Sequence, residues 1–171
     1  MTKPDSPKKH GHAAGIGREG EHPYGDLGQI IILLVFLAIW ILDSFVFRYS
    51  TFLSPHVPIY LRLIFAGLIL VLAAYLVRSG HRAVSDEVLS SPRLITDGAF
   101  SRVRHPLYLA ALLFYLFLIV MTLSLISLLL FMGIFIFYNA IAAYEEKFLE
   151  KKFGQDYSYY RKKVSRWIPR L

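Results

Sequence analysis

From Leu107 to Tyr144 the chain carries no charged residue. At ~1.5 Å per residue a single helix of that length would reach about 57 Å, roughly twice the ~30 Å hydrocarbon core of a bilayer. One straight helix cannot hide this run in lipid. Two helices joined by a tight turn can, and the turn is expected at Met121-Thr122-Leu123-Ser124, where two hydroxyls can satisfy freed backbone groups. Such a hairpin returns the residues after the run to those before it. Before it stands Arg104-His105-Pro106-Leu107-Tyr108, and after it Glu145-Glu146. A basic and aromatic cluster is therefore expected to face a pair of carboxylates at one membrane surface.

Composition agrees with lipid as the main solvent. The chain has 171 residues, the size of one domain, with 56% hydrophobic residues and a mean hydropathy of +0.49. It has no cysteine, which excludes disulfides, thiolate metal sites and cysteine nucleophiles. The net charge of +7 is read as topology and contact with anionic headgroups, not as nucleic-acid binding. Residues 1–24 are polar and rich in Gly, Pro, Lys and His, and are expected to be a disordered tail ahead of a membrane domain spanning 25–171. No signal-peptide cleavage site follows the first apolar run, so a retained helix is expected there.

Four spans are expected, at about 27–47, 59–77, 107–121 and 124–144. The fold class is all-α: a polytopic membrane protein with a C-terminal helical hairpin. Residues 78–103 read as a polar loop with one short helix. From Glu145 an amphipathic segment places Phe148, Leu149, Phe153, Tyr157, Tyr160 and Val164 at helical spacing, interrupted at Gly154. Of the 19 Lys and Arg, four precede the first span, five lie in 78–104 and eight follow from Lys147. Four spans with both termini in the cytoplasm place all three groups on the cytoplasmic side.

Asp43 and Arg62 are expected near the outer surface. Either they form an ion pair between the first two spans, or Arg62 snorkels alone, or they mark a substrate or proton path. His10, His12 and His22 lie in the tail, and no metal site is expected. Taken alone, Pro106 is an ordinary helix-start proline, and Arg102, Arg104 and Tyr108 are ordinary interfacial residues. The glutamates shift that balance, because adjacent carboxylates repel. They call either for Arg102, Arg104 or His105 across the hairpin, or for a ligand with hydroxyl or ammonium donors.

Thr96 to Phe100, Arg104 to Tyr108, Glu145 to Leu149, and Phe153-Gly154 through Tyr157, Tyr160 and Val164 to Pro169 form four linked elements in order. Together they resemble the integral-membrane methyltransferases of the isoprenylcysteine carboxyl methyltransferase and phospholipid methyltransferase superfamily. The resemblance covers roughly 93–169. It implies an enzyme that binds S-adenosylmethionine at the cytoplasmic face, releases S-adenosylhomocysteine, and methylates a lipophilic acceptor arriving from the bilayer, with a carboxylate on a prenyl-like molecule as the leading expectation. It also implies that Leu94, Ile95, Phe100, His105, Pro106, Leu107, Tyr108 and Glu145 line the cofactor, with His105, Arg104 and Glu146 as the catalytic group. A carboxylate acceptor would need no base, whereas an amine would need His105 or Glu146 to take its proton. In the carboxyl methyltransferase branch an arginine one turn before the first glutamate is implied to hold the acceptor. Here that position is Ile141, with Asn139 nearby, leaving Arg102 or Arg104 to compensate. A phospholipid headgroup amine is the alternative acceptor, and a non-catalytic membrane scaffold or carrier the alternative class.

Overall fold

The structure, a computed structural model, describes residues 25–88 and 94–169, with side chains from 27 to 84 in the first stretch. The expectations for the tail, including its three histidines, fall outside these residues. Among those described the fold is all-α. Five helices follow one another: α1 Gly25–Ile41, extended by a π-helical turn Leu42–Phe47; α2 Ile59–Val88; α3 Pro106–Thr122; α4 Leu125–Phe153; and α5 Gln155–Lys163. Leu27–Phe47, Ile59–Val84 and Leu125–Phe153 are long and apolar enough to cross a membrane. The fourth apolar helix, α3, has 17 residues, about 26 Å at ~1.5 Å per residue, at the lower limit for a span.

The hairpin turn falls where the hydroxyls placed it. Leu123 adopts the left-handed conformation (φ 54°) and closes α3 by donating its backbone N–H to Ile119 O. Ser124 caps α4, its Oγ accepting from Ser127 N at 3.0 Å. One boundary differs from that read in the sequence. The second helix continues past residue 77 to Val88, so the first part of the expected 78–103 loop, residues 78–88, is helical. Its Ser79-Gly80 pair breaks nothing, because Gly80 is where α3 comes closest: a Cβ there would stand 2.8 Å from Leu107 Cδ2. The fourth helix runs beyond 144 to Phe153, as the helical spacing after Glu145 leads one to expect, and carries both glutamates within regular helix. It stops at Gly154, whose φ of 53° favours glycine.

The bundle is small, and much apolar surface faces outward. Phe36, Leu112, Tyr115, Leu118, Ile119, Ile134 and Tyr138 form the core between α1, α3 and α4, with Phe36 and Tyr115 in edge-to-face contact at 4.8 Å. Leu68, Val71, Leu129 and Ile136 are exposed, as lipid-facing residues must be. At the hairpin-turn end Asp43 is buried and accepts hydrogen bonds from the backbone N–H and the hydroxyl of Ser50 and from Ser124 Oγ. Arg62 donates instead to Ser54 Oγ (2.7 Å) and to Met121 O (2.9 Å) near the end of α3. Asp43 and Arg62 therefore do not pair. Each satisfies hydroxyl and backbone partners of its own, and together they tie the first loop to the hairpin turn.

Candidate functional site

At the other end of the bundle, α3 begins at Pro106, whose missing N–H suits a helix start. That puts Arg104 and His105 immediately outside the helix and Tyr108 in its first turn. The antiparallel return of α4 brings Glu145 and Glu146 beside them. Glu146 is 3% exposed and is held by three cationic or imidazole side chains. Its Oε1 lies 3.0 Å from Arg104 Nη2 and 3.2 Å from His105 Nε2. Arg166 closes on it with two prongs, Nε to Oε1 at 2.8 Å and Nη2 to Oε2 at 2.7 Å. A planar guanidinium fork matched to both carboxylate oxygens is the strongest such geometry available to a protein.

Glu145 has a different role. Tyr108 Oη donates to its Oε1, and its Oε2 stands 3.6 Å from His105 Nδ1. The imidazole thus has a carboxylate at each nitrogen. Since an ionised carboxylate only accepts, the closer contact makes Nε2 the protonated nitrogen and leaves the Nδ1 lone pair on the Glu145 side. Burial lowers the His105 pKa from 6.5. The hydrogen bond and charge of Glu146 work against that, while Arg166 and Arg104 reinforce it. The ring is held flat against Tyr108 (5.6 Å, 4°) and is flanked by Trp167 at 6.0 Å.

The segment after α5 ties this cluster together. Val103 and Ser165 form a parallel bridge, in which Arg104 N donates to Ser165 O at 2.9 Å. Arg104 Nη1 reaches Arg161 O at 3.1 Å. Beyond Glu146, Arg166 Nη1 donates to Asn139 Oδ1 (2.7 Å), and Trp167 Nε1 donates to the same oxygen (3.2 Å). Tyr157, Tyr160 and Val164 pack with Leu94, Leu149 and Phe153, and Tyr160 Oη donates to Phe100 O at 2.7 Å. Two buried polar atoms near the cluster, Arg104 Nε and Tyr157 Oη, have no hydrogen-bond partner. Burial pushes the Tyr157 hydroxyl up to about 12, with the charge of Glu146 in the same direction.

The residues singled out in the sequence thus divide in two. Arg104, His105, Tyr108, Glu145 and Glu146 meet in one network. Leu94 and Phe100 are joined to α5 beside it, and Pro106 and Leu107 face α2 at Gly80. Ile95 is half-buried in the same loop. Arg102 is exposed and makes no ion pair with either glutamate. Ile141 is buried, and no cation replaces it at its position. Sequence reading missed Arg166, Trp167 and the amide role of Asn139. A charge count hinted at one of them, since two adjacent glutamates needed more cation than Arg104 alone supplies. Among the described residues no group of three His, Cys, Asp or Glu is placed to hold a metal ion.

A family model described as phospholipid methyltransferase matches residues 59–156, more than half of the chain. The match begins with α2 and ends at the start of α5. It takes in the Arg104–Tyr108 cluster and both glutamates and leaves out Arg166. No curated protein and no solved structure matches the chain.

Proposed function

The chain belongs to the phospholipid methyltransferase family, and from that premise we propose that it moves a methyl group from S-adenosylmethionine to the amine of a lipophilic acceptor at the Glu145–Glu146 face. The observation that carries the reading is His105, buried between two carboxylates, with Glu146 3.2 Å from Nε2 and Glu145 3.6 Å from Nδ1. S-adenosylmethionine supplies an electrophilic methyl on a positively charged sulfur. The residues fit such a ligand. Glu145 can accept from ribose hydroxyls or an amino group, and Leu94, Phe100 and the α5 aromatics offer apolar walls. Arg104 Nε and Tyr157 Oη hold buried hydrogen-bonding capacity that polar ligand atoms would use. His105, Pro106, Leu107 and Tyr108 shape the edge next to Glu145.

A headgroup amine is an ammonium at neutral pH and must lose a proton before its nitrogen lone pair can attack the methyl as the S–CH3 bond breaks. His105 takes the proton at Nδ1, because its lowered pKa keeps the Nδ1 lone pair available at neutral pH. The imidazolium then formed is flanked by Glu146 at Nε2 and Glu145 at Nδ1, which offsets the cost of charging a buried ring. Glu146, with both oxygens committed to Arg166, Arg104 and His105, acts as a positioning residue for the base. Methyl transfer asks little else of a protein than alignment of the two reactants and exclusion of water.

A carboxylate acceptor of the prenylcysteine kind has less support. Ile141 offers it no charge, and the guanidinium groups of Arg104 and Arg166 are engaged with Glu146. The test is calorimetric titration of the full chain, purified in detergent and again in native-lipid nanodiscs, with S-adenosylhomocysteine. Saturable binding in either medium supports the reading, and its absence in both overturns it. Labelled methyl donor incubated with native lipid extract, followed by mass analysis, then separates an amine product from a methyl ester.

A further inference from the structure

A second feature of the bundle adjoins this network, meeting it at Leu107 and at Tyr138, whose ring packs on Tyr108 at 5.5 Å. A groove of about 800 Å³ runs between α1, α2 and α3, lined by apolar residues including Leu33, Leu70, Ala74, Val77 and Phe114. Its volume lies within the range of ligand sites, roughly 300–1,000 Å³. The groove does not stay apolar. Along α2 its lining residues Leu70, Ala73, Ala74, Val77, Arg78 and His81 follow helical spacing, so one stripe passes from aliphatic to cationic. Arg78 also lines a smaller adjoining cavity of about 350 Å³ together with Arg82, Ser79 and Asp97.

Arg78, His81 and Arg82 stand at i, i+3 and i+4 and share one face of α2. All three are exposed, and none has a hydrogen-bond or ion-pair partner among the described residues. Asp97, which lines the smaller cavity, is itself engaged in an interaction and leaves two guanidinium groups against one carboxylate. The packing of Gly80 against Leu107 fixes the depth of this cationic end, level with the first turn of α3. An apolar trough ending at the level of the polar cluster in cations that have no partner among the described residues has a charge pattern complementary to an anionic amphiphile in a bilayer.

We propose that this groove is a binding site for an anionic glycerophospholipid, with acyl chains along Leu70, Ala74 and Phe114 and the phosphate between Arg78, His81 and Arg82. Phosphate oxygens match guanidinium donors, and the spread of three donor side chains suits a phosphate better than a single point charge would. A head bearing an ammonium would lie against Arg78 and Arg82, like charge against like. A net anionic lipid is therefore the better charge match, whichever lipid is methylated, and the proposal does not depend on the reaction assigned to His105.

The experiment is native mass spectrometry of the full chain released from detergent, with dioleoylphosphatidylglycerol, dioleoylphosphatidylcholine and dioleoylglycerol as probes. Dioleoylphosphatidylglycerol should bind at least about tenfold more tightly than the other two, as expected for two basic residues acting on one anionic head. The double substitution Arg78→Gln with Arg82→Gln should abolish that preference, and Ala74→Trp should weaken all three lipids by filling the trough. Lys151→Gln, an exposed charge outside the groove, should leave the preference intact. Equal binding of the three lipids overturns the site. So does a preference that survives the double substitution, or one that Lys151→Gln removes equally. Unchanged affinity of the double variant for S-adenosylhomocysteine, with unchanged helicity, shows that the loss is local and not a failure to fold.

Discussion

Glu145 and Glu146 are adjacent in sequence and differ in nearly everything else. Glu146 is closed in by Arg166, Arg104 and His105, whereas Glu145 has Tyr108 on one oxygen and a 3.6 Å gap to His105 on the other. Their amides should therefore fail in different ways. Glu146→Gln leaves two partly buried guanidinium groups and the buried edge of His105 without a counter-charge and should cost about 3 kcal/mol of stability, read as thermal unfolding in detergent. Glu145→Gln should leave the fold intact and weaken S-adenosylhomocysteine binding by about tenfold or more, the loss of one charge-assisted hydrogen bond. Equal unfolding temperatures for the two amides would refute this division, and unchanged affinity would remove Glu145 from the site. His105 adds a pH signature. Burial lowers its pKa, so the neutral, base-competent form prevails above 6.5 and is lost as pH falls through the lowered value. The acidic limb of kcat/KM should lie below pH 6.5, and His105→Asn should abolish it. Stability follows the same sign, because the fold favours the neutral ring: it is full above 6.5 and declines on acidification.

At the level of elements, the hairpin was legible because it follows from a length: an uncharged run too long for one crossing and too apolar for water has to fold back. The same reasoning placed Arg104–Tyr108 opposite Glu145–Glu146, and their contacts follow from that placement. Helix ends were read less well. Residues 78–88 look like loop in sequence because Ser79, Gly80 and three basic residues dilute the apolar pattern. They stay helical because Gly80 lets Leu107 pack closely, a tertiary reason that no local pattern contains. Arg166 was hidden for a related reason. It reaches Glu146 only because the segment after α5 is pinned by the Val103–Ser165 bridge. The Gly80 contact can be tested against an internal control. Gly80→Val drives a branched side chain into Leu107 and should cost about 1–3 kcal/mol by overpacking. Gly67→Val, in the same helix with nothing within 4 Å of its Cβ, should cost far less in the same unfolding assay. Comparable losses at both positions would mean that helix propensity, not the α2–α3 contact, sets the cost.

For the molecule as a whole, the open quantity is which end of the bundle faces which compartment. The two ends are chemically unlike. One gathers Arg78, Arg82, Arg104, Arg166 and the lysines around α5, and the other has Arg48 and Arg62 with the buried Asp43 knot. A basic bias of that kind orients membrane proteins with the rich side inward. Four crossings would place residues 94–105 and α5 together on that side, with the α1–α2 loop opposite. The short α3 is the element on which this depends, since 17 residues lie at the lower limit for a crossing. The chain has no cysteine, so single introduced thiols report cleanly. Ser101→Cys and Asp156→Cys, both exposed, should react with a membrane-impermeant maleimide in inverted vesicles and resist it in right-side-out ones. Tyr49→Cys, at a position 75% exposed, should show the reverse. If Ser101→Cys and Asp156→Cys label from opposite faces, the α3–α4 hairpin does not return on itself. If Tyr49→Cys labels with them, α2 does not cross. If all three reverse together, four crossings stand and the charge bias has been read with the wrong sign.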